Sequence, residues 1–139
     1  MELFHSQVET RKLLHLVCRG SELADKRINL TDPAEFLQVA GLCLSAGDTF
    51  RPHKHLPIEK LTRITQESWV VVRGLVIASL FDLDDSLLAE VPLHAGDLSI
   101  TFYGGHTYRC EQDALVYEFK TGPYLGVEQD KVFIDNPSK

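Results

Sequence analysis

Short runs of apolar and β-branched residues, broken by glycine, aspartate and proline, fill most of this chain. Near the start, Ser6-Gln7-Val8-Glu9 has the form of a helix capping box. Leu13, Leu14, Leu16 and Val17 follow at helical spacing, with Gly20 as terminator. The pattern predicts one helix over about residues 7–19, covering part of a sheet or packing on a second subunit. The remainder reads as strands. Phe36–Leu44 is a continuous apolar run, ended by Gly47-Asp48, and Thr49–His55 follows. Trp69–Arg73 and Leu75–Phe81 lie on either side of Gly74. Asp82–Ser86 has hairpin-turn composition, Leu87–Pro92 is a further strand, and Gly96-Asp97 turns the chain. Ser99–Tyr103 and Thr107–Cys110 flank Gly104-Gly105, and Ala114–Lys120 is the last strong strand. Many short strands with regular turn signals predict an all-β sandwich, jelly roll or barrel. No repeat or linker interrupts it, and the tail Asp135–Lys139 is expected to fray.

The totals narrow the class. A chain of 139 residues, 44% apolar, predicts one domain with one core. The net charge is −6 and the 14 basic residues are scattered, which argues against a nucleic-acid partner. Met1-Glu2-Leu3-Phe4-His5 lacks the layout of a signal peptide, and no apolar run approaches membrane-spanning length. The expectation is a cytoplasmic protein. Cys18, Cys43 and Cys110 are odd in number and unpaired by motif, so they read as reduced, mostly buried thiols.

The chemistry gathers at histidine. His53 and His55 are two apart, and in a strand both imidazoles face one side. With a carboxylate at Glu67 and a third imidazole at His106, they would form a mixed N/O site for one divalent transition metal. Zn, Fe, Mn, Ni and Co all suit such donors. His5, His15 and His94 read as surface or hydrogen-bonded side chains.

These residues resemble a cupin. Gly47, His53 and His55 match the Gly-x5-His-x-His part of the first cupin motif, and Glu67 and Gly74 its Glu-x6-Gly part. Gly96 and His106 resemble the ends of the second motif. Across nearly the whole chain the sequence looks similar to cupin-fold metalloproteins of the WbuC type, associated with polysaccharide (O-antigen) biosynthesis. Arg27–Leu30, Arg51–His55, Tyr117–Tyr124 and Lys131-Val132-Phe133 carry that likeness. The resemblance implies a jelly-roll (double-stranded β-helix) barrel with a short N-terminal helix, a bound divalent metal and a homodimer. On that pattern residues 1–30 are helix and arm, 31–125 barrel and 126–139 tail, all one cupin domain. Two departures stand out. Eleven residues separate His55 from Glu67, and Glu59 sits at the ordinary short spacing as an alternative ligand. The second motif is one residue short, with Phe102-Tyr103-Gly104-Gly105 in place of its Pro-x-Gly turn.

Other side chains become candidates in that setting. Arg51 precedes His53 by two and would face the same way as an anion clamp or a surface salt bridge. Glu118 and Lys120 share a strand face as acid/base or substrate-binding groups, or as a mutual ion pair. Tyr103 and Tyr108 flank His106 and could line a pocket, with Tyr108 a second candidate for proton transfer. Trp69 and Phe119 are expected in the core. The leading expectation is a metal-dependent enzyme acting on a small oxygenated molecule such as a sugar or nucleotide-sugar, by isomerisation or epimerisation. An Fe(II) dioxygenase, a non-catalytic small-ligand-binding module and a purely structural dimer are the alternatives.

Overall fold

The computed structural model describes residues 1–135; the expected fraying of 136–139 falls outside the described residues. The strands are β1 (Glu2–His5), β2 (Leu13–Cys18), β3 (Ile28–Asn29), β4 (Ala40–Gly41), β5 (Glu67–Arg73), β6 (Leu75–Phe81), β7 (Leu87–His94), β8 (Leu98–Thr101), β9 (His106–Cys110) and β10 (Leu115–Lys120). A short α-helix, α1, spans Val127–Asp130, and a 3-10 turn Gly20–Glu22 follows β2. All pairings are antiparallel, in a five-stranded sheet of order β1-β2-β8-β5-β10, a three-stranded sheet of order β7-β6-β9 and a β3-β4 ribbon. Among the described residues no sheet closes on itself.

The two larger sheets share one core. Val17 and Val71 from the first meet Val76, Ala78, Leu80, Val91 and Leu93 from the second. The outer face of the first sheet carries Leu16, Cys18, Leu98 and Ile100, covered by Leu23, Ile28, Leu30, Leu37 and Val39 of the 23–41 segment. Sheet β1-β2-β8-β5-β10 is thus apolar on both faces at β2. This corrects the predicted helix over 7–19. A strand buried on both faces has no two-residue alternation, and Leu13–Cys18 mimics helical spacing for that reason. Ser6 Oγ does accept the backbone N–H groups of Val8 (3.1 Å) and Glu9 (2.8 Å) as a cap would. The turn it stabilises then reverses through Arg11 (φ 71°) into β2.

Two expected strands are also corrected. Within Phe36–Leu44 only Ala40–Gly41 pairs, because this stretch packs Leu37 and Val39 over the outer face of the sheet. Thr49–His55 forms no strand and is exposed throughout. The strands expected from Trp69 to Lys120 form, most within one or two residues of their predicted ends. Phe119 is exposed, not core, and pairs across from Ser68 on the outer face. Cys18 is buried, but Cys43 and Cys110 are exposed; all three thiols are free. No helix among the described residues is long and apolar enough to cross a membrane.

Gly74 is the corner where the chain leaves one sheet for the other. Its φ is +91°, and a Cβ there would lie 2.4 Å from the carbonyl oxygen of Asp113 and 2.8 Å from Cα of Ala114. Backbone cannot retreat as a flexible side chain can. Gly74→Ala should therefore cost about 2 kcal/mol or more, read as a lowered midpoint in denaturant unfolding. An unchanged midpoint would show that the corner relaxes freely.

Candidate functional site

Strand register decides which side chains share the interior. On β5, Glu67, Trp69 and Val71 face inward, opposite Lys120, Glu118 and Val116 of β10. Thr101 and Ser99 of β8 lie on the same face, beside His15 and Val17 of β2. From the facing sheet, His106 and Tyr108 of β9 point inward beside Leu80 and Ala78. The interior is thus apolar around Val71 and Val76 and polar around Glu67 and His106.

The polar end is tightly bonded. His106 Nε2 donates to Glu67 Oε1 at 3.1 Å, and Trp69 Nε1 donates to the same oxygen at 2.8 Å. Burial pushes the Glu67 carboxyl upward, but the bond from His106, its charge and the Trp69 bond outweigh this. The group sits below the usual glutamate range. The other ring nitrogen of His106, Nδ1, is buried and has no hydrogen-bond partner among the described residues. Tyr108 stacks on Trp69 at 3.9 Å, and its hydroxyl meets Ser99 Oγ at 2.9 Å. Burial raises the Tyr108 pKa, so the phenol keeps its proton at neutral pH.

A cavity of about 550 Å³ opens on this end, lined by Glu67, His106, Thr101, Tyr103, Asp130 and Lys131 among others. The C-terminal segment forms one wall. It is held by Thr65 Oγ1 donating to Asp130 (2.8 Å), by the Lys120–Asp130 pair (3.7 Å) and by the Lys120 ammonium over the Tyr124 ring (4.5 Å). Lys120 is therefore occupied with the wall, while Lys131 is the cation that lines the cavity. Tyr103 is at the rim, with Lys12 over its ring at 4.8 Å. Glu118 is on the inner face of the edge strand β10 and exposed.

Of the four expected metal ligands, the fold brings Glu67 and His106 together. His53 and His55 stay near each other, with ring centroids 5.4 Å apart. They lie on the exposed, strandless segment along with Arg51 and Glu59, and His53 Nδ1 donates to the Arg51 carbonyl at 3.0 Å. Among the described residues no three His, Cys, Asp or Glu side chains converge to hold a metal ion. The donor chemistry of the four suits a divalent metal, but in a single chain it is assembled only as two pairs.

Sequence reasoning passed over His15, Thr101 and Lys131. His15 is fully buried, with Nε2 donating to the Phe81 carbonyl (2.9 Å) and Nδ1 accepting from Thr101 (3.0 Å). Reading β2 as a strand would have put it on the face of Val17, toward the site. Comparison with protein-family models, curated proteins and solved structures finds no match to this chain.

Proposed function

We propose that the chain is a cupin-type metalloprotein that binds a small oxygenated molecule, of the sugar or nucleotide-sugar class, in the cavity beside Glu67 and His106. The supporting observation is the Glu67–His106 pair. A carboxylate and an imidazole from facing sheets meet at a cavity. A carboxylate and an imidazole lining one cavity are donor types that suit a divalent ion, and this pairing favours a metal at that end. Glu67, His106, His53 and His55 would hold one divalent ion of the Zn, Fe, Mn, Ni or Co type. When bound, such an ion supplies Lewis-acid polarisation of a ligand oxygen.

The chain's own groups divide the remaining work. Lys131 offers a cation to an anionic group of the ligand, and Thr101 and Tyr103 offer hydroxyls. Tyr108 holds its proton and stacks on Trp69, so it shapes the pocket and does not act as a base. Glu118, on the inner face and open to solvent, is the proton carrier in an isomerase- or epimerase-like reaction. The setting is a cytoplasmic homodimer with no nucleic-acid partner.

Elemental analysis of protein purified without chelators tests the reading. About one equivalent of a single transition metal per chain is expected, with its loss in His53→Ala/His55→Ala and in Glu67→Ala, each variant remaining folded by circular dichroism. Full metal retention in both variants would sink the ligand assignment. No metal uptake by the wild type, after incubation with Zn, Mn, Ni and anaerobic Fe(II), would sink the metalloprotein reading.

A further inference from the structure

Residues 49–63 form an arm that its own chain leaves unused. Residues 42–61 are exposed without a break and contain no strand. Leu56, Ile58 and Leu61 are 81%, 75% and 82% exposed, values unusual for three apolar side chains so close together. Among the described residues, the only hydrogen bonds between residues 49–63 and the rest of the chain are those of Thr62 with nearby Ile64, and no ion pair joins them. The arm is anchored just before it, where Asp48 pairs with Lys26 and Cys43 donates to the Leu23 carbonyl.

The body offers complementary vacancies. β9 and β10 are each the last strand of their sheets, so each has an unpaired backbone edge. β9 carries His106, and β10 pairs with β5, which carries Glu67. Beside these edges Leu115, Tyr117 and Phe119 are exposed. Charge agrees as well. Residues 49–63 hold Arg51, Lys54, Lys60 and Arg63 against Glu59 alone, a net +3, whereas the other residues together carry −9. An open edge beside apolar surface is a template for an added strand. Pro52 is compatible with an edge strand, its missing N–H facing outward, and Pro57, whose N–H would face the other way, with the start of a second short strand.

We propose that the arm is exchanged between two copies of this chain. In a two-fold dimer each copy lays residues 49–63 along the open edges of β9 and β10 of the other. His53 and His55 of one chain then join the Glu67–His106 pair of its partner. In the single chain both strand edges are unpaired and residues 49–61 are exposed. A symmetric exchange covers both copies' edges and arms at once, in a closed assembly. The metal part of this inference rests on the function proposed above; the exchange itself does not.

Complementation tests it. His53→Ala/His55→Ala chains lack the arm ligands, and Glu67→Ala/His106→Ala chains lack the body ligands. Co-expressed with different tags and purified as the mixed dimer, they should rebuild one complete site. That gives about one metal per mixed dimer, against two in wild type and none in either parent. Closure of each arm on its own chain predicts no metal in the mixture, and that result, with wild type loaded, overturns the exchange. Light scattering supplies an independent reading. Wild type should be dimeric, and Leu56→Glu/Ile58→Glu/Leu61→Glu, at positions exposed in the single chain, should be monomeric with unchanged circular dichroism. A monomeric wild type, or a triple variant that stays dimeric, overturns the exchange whether or not metal is bound. A metal-free wild-type dimer that the triple variant dissociates supports the exchange and sinks only the metalloprotein reading.

Discussion

Asp82→Ala should lower the unfolding free energy by about 4 kcal/mol, several times the effect of an ordinary surface change. The carboxylate is 1% exposed and accepts from Ser6 Oγ at 2.5 Å, from the Gln7 backbone at 2.6 Å and from the Leu83 backbone at 2.7 Å. Burial alone would push its pKa up. The Ser6 hydroxyl and the Gln7 and Leu83 N–H groups reverse that and hold it below the usual aspartate range. The group is thus ionised at neutral pH, and each donor makes a charge-assisted bond. Two turns distant in sequence meet here. The loop between β1 and β2 is fastened to the β6–β7 hairpin, where Asp82 N–H also donates to the Ser86 carbonyl at 2.8 Å. Alanine leaves a hydroxyl and two N–H groups in a space without acceptors, at about 1–3 kcal/mol for each one that water cannot reach. Urea unfolding at pH 7 measures the effect. Asp82→Asn should fall between, since it keeps one acceptor oxygen and loses the charge. A loss below about 1 kcal/mol for alanine would mean that water replaces the carboxylate, and that the two turns are not held by it.

Legibility along this chain follows how local the forces are. Trp69–Arg73, Leu75–Phe81 and Leu87–Pro92 are β-branched or alternating runs bounded by Gly74, by Asp82–Ser86 and by Gly96-Asp97, so their strands can be read from the sequence alone. Leu13–Cys18 cannot be read that way. Its two faces enter two different clusters, and an all-apolar strand carries no period to distinguish it from a buried helix turn. Residues 49–55 misled for another reason. Their strand pattern has meaning only if an edge is there to receive it, and the single chain does not pair them. At the site, the spacing of Glu67 to Gly74 and of His106 to Gly96 singled the two out, and each opens a strand. His15 was indistinguishable from a surface histidine until the register of β2 with β8 put it opposite Thr101.

That buried histidine makes stability depend on pH in a window of its own. Burial is the main cause that pulls the His15 pKa from 6.5 down to about 4, with the positive charge of His106 adding to it. The bond to the Phe81 carbonyl and the charge of Asp82 oppose it without prevailing. The native state therefore holds a neutral ring, with Nε2–H given to Phe81 and the Nδ1 lone pair to the Thr101 hydroxyl. An unfolded chain binds a proton at this ring below about pH 6.5, while the native state resists until about pH 4. Between these values the unfolded state carries the extra proton, so stability rises with pH and falls on acidification, by about 1.4 kcal/mol per unit. The total contribution is about 3 kcal/mol, complete above pH 6.5 and lost by pH 4, below which both states are protonated and the term is flat. Asp82 and Asp97, held below the usual aspartate range, lose their contributions only at lower pH, so the two windows separate. His15→Gln isolates the effect, because an amide can still donate to Phe81 and accept from Thr101 but does not titrate. Chemical denaturation from pH 7.5 to 4 should give a wild-type curve that falls away from the glutamine curve below pH 6.5. Parallel curves would mean that water or a rearranged Thr101 accommodates the imidazolium, and that His15 is not held neutral inside the fold.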